Sequence, residues 1–450
     1  MKAFHNIVQG SSDASLVGAA GLVPALRLAE RAGLHDLMGR HLTVDSPNAA
    51  VKAVGVIAGM LTGADSIDDL AVLRHGSLPR LLDGVRAPST YGTFLRAFGV
   101  GHARQLQAVN TRLLAALSGV LDALLPTGGV SMIDIDDTLR EVHGYRKQGA
   151  EVTYTKQRGL NIQLATLSGE QVMPLILAAR LRRGKSPSFT GGPLMVAEAI
   201  NAARAAGVSG QIMIRADSGY HGRPMVATAL RHGVWFSITL RHNEVVNRAI
   251  SRIPEDQWTP IKYPNAVYDE QDKVWISDAE VAEVTDFDSL THGGKPAIRS
   301  RLVVRRVKRL NPDSQEALLD AWRYHAFMTN SDLDKLEADR RHRDHAIIEQ
   351  VIAELKSMAL AHLPSGRFGA NAAWVGHAVI GFNLAKAVAA AAGHPKTRWT
   401  TIARQLINIP ARVTSSARRL RLHLPTGWPW NPHLDTLWQA ALGPPTPAST

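Results

Sequence analysis

Ser131-Met132-Ile133-Asp134-Ile135-Asp136-Asp137-Thr138 is the stretch on which the reading of this chain turns. Its apolar and acidic residues alternate with the period of a β-strand, so Asp134 and Asp136 share one face and Asp137 takes the other. Acids set inside an otherwise apolar strand cost desolvation free energy unless a positive partner compensates. A hard divalent cation such as magnesium, which takes oxygen ligands, is one such partner. Arginine pairing with strand-end acids is the ordinary alternative.

Outward from this stretch, residues 129–240 read as short strands at Val130–Asp136, Asn161–Leu167, Met173–Ala179, Ile212–Asp217 and Trp235–Leu240. Helical periodicity occupies Pro193–Ala206 and Arg223–Arg231. Three strands, a helix, a strand, a helix and a strand is an α/β order, with the first three strands close enough to form a meander. A ribonuclease-H-like catalytic core is built this way. Before it, Leu16 to Leu125 is helical. After it, 241–329 is rich in charge and turns, with β-like runs at Val274–Ile276, Leu302–Val307 and Tyr324–Met328. Helix returns from Leu333 to Ala361 and from Ala372 to Ala392, ended by Gly393-His394-Pro395. The expected division is a helical N-terminal domain (1–125), a first part of the core (126–240), an inserted β-rich module (241–330), a helical remainder of the core (331–395) and a basic, proline-rich tail (396–450). Gly443 to Thr450 reads as a disordered end.

Lysine and arginine number 51 against 39 aspartates and glutamates, a net charge of +12 that makes a polyanion the natural partner. At 450 residues, a large core and appended modules are both affordable. Cysteine is absent, which excludes disulfides, cysteine-ligated zinc and iron–sulfur clusters and permits a reducing compartment. Any metal must sit on oxygen or imidazole. Met1 to Gly10 has no apolar core of the kind a signal peptide carries, so secretion is not expected. The most apolar long stretch, Trp374 to Ala391, contains His377, Asn383 and Lys386, which are expensive in lipid, and is expected as a buried helix and not a membrane span.

A second acid ends the apolar run Ile212-Met213-Ile214-Arg215-Ala216-Asp217-Ser218-Gly219, at the kind of strand end where ligands of α/β sheets gather. Asp217 also suits the N-cap of a following helix. A third lies in His342-Arg343-Asp344-His345-Ala346-Ile347-Ile348-Glu349-Gln350-Val351-Ile352-Ala353-Glu354-Leu355-Lys356. Steps of three, four and seven put His342, His345, Glu349 and Lys356 on one stripe of a continuous helix. Such a stripe suits a phosphate-and-metal site, and a solvated face carries similar residues. A strand acid, a strand acid and a helix acid, in that order, are what two-metal phosphoryl transfer needs.

On these residues the chain resembles the DDE transposases of bacterial insertion sequences, in the group whose third acid lies in a tyrosine-arginine-glutamate-lysine helix signature, and within it the insertion-sequence thirteen-eighty family. The resemblance runs through Ile133-Asp134-Ile135-Asp136-Asp137-Thr138, Val142-His143-Gly144-Tyr145, Lys147-Gln148-Gly149-Ala150, Tyr154-Thr155-Lys156, Arg158-Gly159-Leu160, Arg215-Ala216-Asp217-Ser218 and the helix of Glu349 and Lys356. It implies Asp136, Asp217 and Glu349 as catalytic metal ligands for two Mg2+ (or Mn2+) ions, with Asp134 the rival of Asp136. Lys356 matches the lysine of the signature, whereas His342 stands in place of its tyrosine and His345 in place of its arginine. All three are expected on DNA phosphate. The resemblance further implies cut-and-paste transposition, a homodimer on terminal inverted repeats and target DNA, and a bacterial, cytoplasmic, nucleoid-associated location. A magnesium nuclease that cuts without joining, a non-catalytic DNA-binding descendant, and a zinc hydrolase on His342, His345 and Glu349 remain as alternatives.

Several further features admit two readings. Trp258 and Trp275 suit stacking on a flipped base or the core of a small β module. Arg299, Arg301, Arg305, Arg306, Lys308 and Arg309, with Arg412, Arg418, Arg419 and Arg421 of the tail, suit phosphate contacts or a solvated face. His102, Arg104, Gln105, Gln107, Asn110 and Arg112 suit base reading or packing on the core. Ser66-Ile67-Asp68-Asp69 is read as a capping box that starts a helix.

Overall fold

The computed structural model describes residues 10, 13–122, 124–126, 128–144, 146–153, 156–170, 172–261, 268–269, 274–275, 279–290, 298–308, 322–416 and 419–442. Tyr145, Tyr154, Thr155, Arg309, Arg418 and the expected disordered end lie outside them, as do the side chains of Trp275 and Lys308.

The first strand, Val130–Glu141, runs antiparallel to Arg158–Ser168, which pairs in turn with Leu175–Arg182. These are the three strands of the expected meander. On its other side the first strand is parallel to Gln211–Ala216, and that strand is parallel to Trp235–Thr239. The parallel connections pass through helices Gly192–Ala206 and Arg223–Arg231, each opened by a proline in its first turn, where the missing N–H is no loss. Gly207, at φ +110°, stops the first of them.

Within 241–330, Tyr268–Asp269 and Val274–Trp275 form a small two-stranded sheet of their own, while the other described strands join the main sheet. The region's last strand, Trp322–Thr329, pairs with Trp235–Thr239 on one side and Ser300–Lys308 on the other, and Ser300–Lys308 pairs with Ala279–Phe287, which pairs with Thr259–Ile261, so one ten-stranded mixed sheet spans both regions. The residues after 395 likewise form more than a tail. Ala411–Ser416 pairs with Arg419–His423 and with Leu16–Val17 near the chain's start. Helix Asn431–Leu442 packs on helix Leu22–Arg31, whose Arg31 guanidinium donates to the Ala440 carbonyl.

The expected continuous helix from 333 to 361 is broken. Lys335–Arg343 is α-helical, Asp344–Ala346 is a tighter 3-10 turn, and Ile347–Lys356 resumes the α-helix. The stripe joining His342 to Lys356 therefore spans two helical segments. At the break His345 turns inward to the buried Asp134, a contact that competes with regular helix geometry.

Helix Phe368–Ala391 is the central post. It is the described helix long and apolar enough to cross a membrane, and 94% of its apolar window is buried inside the protein. Strand Leu175–Arg182 and helices Val100–Val120 and Ala49–Thr62 pack around it. Two of its polar residues are held by partners on other elements, whereas the buried His377 bonds Ala373 O through Nδ1 and leaves Nε2 without a partner among the described residues. Asn383 accepts from Ile176 N at 2.8 Å and donates to Ile176 O and Asn110 Oδ1, both at 2.8 Å. Lys386 pairs with Glu354 at 2.7 Å, and Glu354 also accepts from Trp399 N. Burial lowers the Lys386 pKa, with Glu354 pulling the other way.

Candidate catalytic site

Two rungs of neighbouring parallel strands define the site. The register pairs Asp134 with Arg215 and Ile135 with Ala216, so the next step beyond the ladder brings Asp136 and Asp217 to the same end of the sheet. Asp134 is fully buried, and Arg215 binds it through two bonds, Nε to Oδ1 at 2.6 Å and Nη2 to Oδ2 at 2.8 Å. His345 Nδ1 lies 2.8 Å from Asp134 Oδ1. Burial alone would push the Asp134 carboxyl up, but Arg215 and His345 hold it below its ordinary value.

Asp137, which points to the other face by strand alternation yet still borders the cleft of Asp136 and Asp217, is also neutralised. Arg182 Nη2 reaches its Oδ2 at 2.9 Å, and Asn161 donates to the same oxygen. Asp136 alone of the three acids has no cation paired to it among the described residues. Its Oδ1 accepts from Asp137 N at 2.7 Å. Desolvation raises its pKa to about 6, with Asp217 and Asp137 adding to the rise against that backbone bond and His345. Asp217 caps the short 3-10 turn Ser218–Tyr220, accepting from Gly219 N at 2.9 Å. Its pKa is also raised, first by desolvation and further by Asp137, with Gly219 N and His345 opposing. The capping and cleft-facing readings of Asp217 are therefore compatible. Both carboxylates line one cleft with Thr153, Asn161, Lys185 and Ser188.

The second oxygen of each acid receives no bond from the described residues. Two half-desolvated carboxylates that repel each other, with lone pairs turned to a cleft, are a donor set fit for a hard divalent cation. Glu349 is not part of that pair. It is exposed in the first turn of Ile347–Lys356, and among the described residues no three of Asp, Glu and His gather closely enough to hold one ion. Lys356, at the far end of that helix, does come near. Burial lowers its pKa first, Arg140 lowers it further and Asp136 raises it. The Glu354–Lys386 pair ties this helix to the central post, an anchor that the sequence reading did not single out.

The two histidines are occupied inside the protein. Nδ1 of His342 lies 2.8 Å from Ser237 Oγ, its Nε2 lies 3.0 Å from Thr239 Oγ1, and its ring stacks on Phe327 at 4.0 Å. Desolvation, followed by the charges of His345 and Arg215, pulls the His342 pKa well down, so the ring is neutral. The expected phosphate contact by His342 has no ring nitrogen left to make it, and His345 spends Nδ1 on Asp134. A zinc site on these rings would lack His342 for the same reason.

Other expected contacts are also spent internally. Arg306 lies between the Trp258 and Trp322 rings, 4.2 and 4.3 Å from their centroids, and pairs with Glu255 and Glu280. Trp258 is thus core of the β region and cannot receive a flipped base. Arg301 pairs with Glu283 at 2.6 Å. Gln107 and Asn110 bond the edge of strand Leu175–Arg182 at Leu177, Ala179 and Ile176, so packing holds both. Ser66 and Asp69 form the expected reciprocal cap, on a 3-10 helix. In Lys147-Gln148-Gly149-Ala150, Lys147 donates to Leu363 O, Gln148 N to Gly366 O, and Phe368 N to Gln148 Oε1. That motif fastens the loop leading into the central helix, and Gly149 at φ +78° permits its turn.

A comparison with curated proteins gives no match. The family model described as transposase DDE domain group 1 matches residues 50–442, the stretch that carries both rungs, Glu349 and the central post, and the chain belongs to that DDE transposase family of DNA-cleaving and DNA-transferring enzymes.

Proposed function

We propose that the chain moves its own insertion sequence by cut-and-paste transposition, with Asp136, Asp217 and Glu349 as the catalytic acids. The observation that carries this reading is the Asp136–Asp217 pair, two carboxylates raised in pKa just past the end of the ladder that joins their strands, while the neighbouring Asp134 and Asp137 are each tied to an arginine. That contrast favours Asp136 over Asp134 as first acid. Asp136 and Asp217 would hold two Mg2+ or Mn2+ ions, which when bound stabilise charge on the attacking and leaving oxygens of an in-line displacement. Glu349, exposed on helix Ile347–Lys356, would complete the set once DNA is bound. Lys356 would steady a backbone phosphate, while His342 and His345 hold that helix's approach to the sheet.

In the reaction, water opens the phosphodiester at each terminal inverted repeat, and the freed 3′-hydroxyl attacks target DNA. The strand order, with a three-stranded meander joined to two parallel strands, supports a ribonuclease-H-like core whose sheet is extended by the inserted β region. The net charge of +12 supports the DNA partner. Two chains, one per DNA end, and a bacterial nucleoid-associated location complete the proposal. The test is magnesium-dependent cleavage and strand transfer on DNA bearing the element's ends, comparing wild type with Asp136→Ala, Asp217→Ala and Glu349→Ala. Each variant should bind DNA and do neither step. Cleavage without joining in wild type would make the chain a nuclease, and activity in all three variants would remove the proposed mechanism.

A further inference from the structure

Arg140 lies on the first strand four residues beyond Asp136, and strand alternation places Asp136, Thr138 and Arg140 on one face. Helix Ile347–Lys356 packs on this strand. The buried and half-buried arginines around the site mostly have an acid: Arg182 has Asp137, Arg215 has Asp134, Arg341 has Glu337 and Arg343 has Asp339. Arg140 has none. Its Nε is buried without a hydrogen-bond partner, and no acid among the described residues pairs with its guanidinium. Lys356 likewise has no acid paired to its ammonium among the described residues.

We propose that Arg140 and Lys356 together form a built site for a DNA backbone phosphate, set beside the Asp136–Asp217 cleft and fixing the strand that enters it. This inference rests on the transposase reading and adds Arg140 as a binding residue to it. The physical case is one of unbalanced charge. Two cations drawn together without a counter-ion repel, and both are partly withdrawn from water, so the arrangement is costly until an anion arrives. The charge of Arg140 acts on Lys356 directly and helps depress its pKa. A phosphate diester fits both groups: the planar guanidinium can present two N–H donors to its oxygens, and the ammonium supplies a compact point charge. With Arg140 on the strand of Asp136 and Lys356 on the helix packed against it, the bound phosphate would be a neighbour of the one attacked, so the contact would set register and carry no base sequence.

The experiment measures affinity for a labelled duplex carrying the element's terminal repeat across a salt series, with calcium in place of magnesium so that no cleavage occurs. Wild type, Arg140→Ala, Arg140→Lys and Lys356→Ala are compared, and thermal melting verifies that each is folded. Arg140→Ala should bind about tenfold more weakly, the loss expected of one charge-assisted bond. Its salt slope should be shallower by about 0.9, the value of one phosphate contact. Arg140→Lys, which keeps the charge, should recover most of the slope and only part of the affinity. Lys356→Ala should cost less in the Arg140→Ala background than in wild type, because one phosphate is shared.

If Arg140→Ala keeps the wild-type affinity and slope while wild type binds and cuts, Arg140 does not hold phosphate and the inference is overturned with the transposase reading intact. Should Arg140→Ala fail to fold, Arg140→Lys decides: an unchanged affinity and slope in that variant, together with additivity of Lys356→Ala in its background, overturns the shared site. A wild-type chain that neither binds nor cuts this DNA removes both the inference and the reading beneath it.

Discussion

Two rungs of the same pair of strands, one step of the pleat apart, do opposite things. At the inner rung Asp134 faces Arg215, and the two charges cancel in the interior through a bidentate bond. At the outer rung Asp136 faces Asp217 at the mouth of a cleft, and desolvation first, with neighbouring carboxylates adding to it, raises both pKa values. Backbone, sheet and neighbours are nearly shared, so the difference comes from one residue identity and from depth. Opposite charge makes the inner rung a structural clamp. Like charge makes the outer rung a site that is incomplete without a cation. The clamp also fixes what lies above it, because His345 bonds Asp134 and Arg215 donates to the Arg341 carbonyl, tying the segment before Glu349 to the sheet.

The largest expected effect separates the rungs by readout. Asp136→Ala or Asp217→Ala should reduce strand cleavage on the order of a thousandfold or more, since several kcal/mol of charge stabilisation depend on the cations they would hold, while the urea midpoint stays at or above that of wild type. Asp134→Ala should do the reverse to stability. It strands Arg215 as a buried unpaired cation, at a cost of about 3–5 kcal/mol, measured as a lower urea midpoint at unchanged slope. A folded, stable but inactive Asp134→Ala would exchange the roles assigned to the rungs.

A smaller effect tests the shell around the clamp. His342→Ala removes a ring stacked on Phe327 and bonded at both nitrogens, leaving Ser237 and Thr239 without that partner. Denaturation should show a loss of about 2–3 kcal/mol, combining lost packing with unmet hydroxyls. The salt slope of DNA binding should not change. A shallower slope with normal stability would return His342 to the phosphate.

Much of the sheet could be read from period alone. The strand read at Val130–Asp136 starts as expected but continues five residues further to Glu141, the strand read at Ile212–Asp217 is shifted by one residue, and helix Arg223–Arg231 agrees at both ends. Pairing partners were not visible, because period assigns faces and leaves register open. Hence the β region after 240 was expected as a module, although its last strand zips onto Trp235–Thr239. The same limit hid the clamp. Asp134-x-Asp136 and Arg215-x-Asp217 share a spacing, and aligning them puts arginine on aspartate and aspartate on aspartate, a signal that could have separated Asp134 from Asp136. The helix break at Asp344–Ala346 was not legible either, since the pull on His345 comes from a strand more than two hundred residues earlier. Likewise Gln107 and Asn110 look like base readers until the strand edge they bond is in view.

The smallest expected effect probes the outer rung without any DNA. An unfolded aspartate ionises near 3.8 and Asp136 in the folded chain at about 6, so the folded state holds this proton more tightly than the unfolded one. Stability should therefore fall as pH rises between those two values, with the whole cost present above the folded pKa. Asp136→Asn never carries the charge. At about pH 7.5 it should be more stable than wild type by about 1–2 kcal/mol, a two-unit shift being worth about 3 before solvent screening of a half-exposed group. At about pH 3.5 the two proteins should nearly coincide, because the wild-type carboxyl is then protonated folded and largely protonated unfolded. Magnesium added at the higher pH should stabilise wild type and leave the variant unmoved, since a cation relieves the repulsion that the substitution has already removed. A constant difference at every pH would place the origin of the shift in packing, and the outer rung would lose its claim to be poised for a cation.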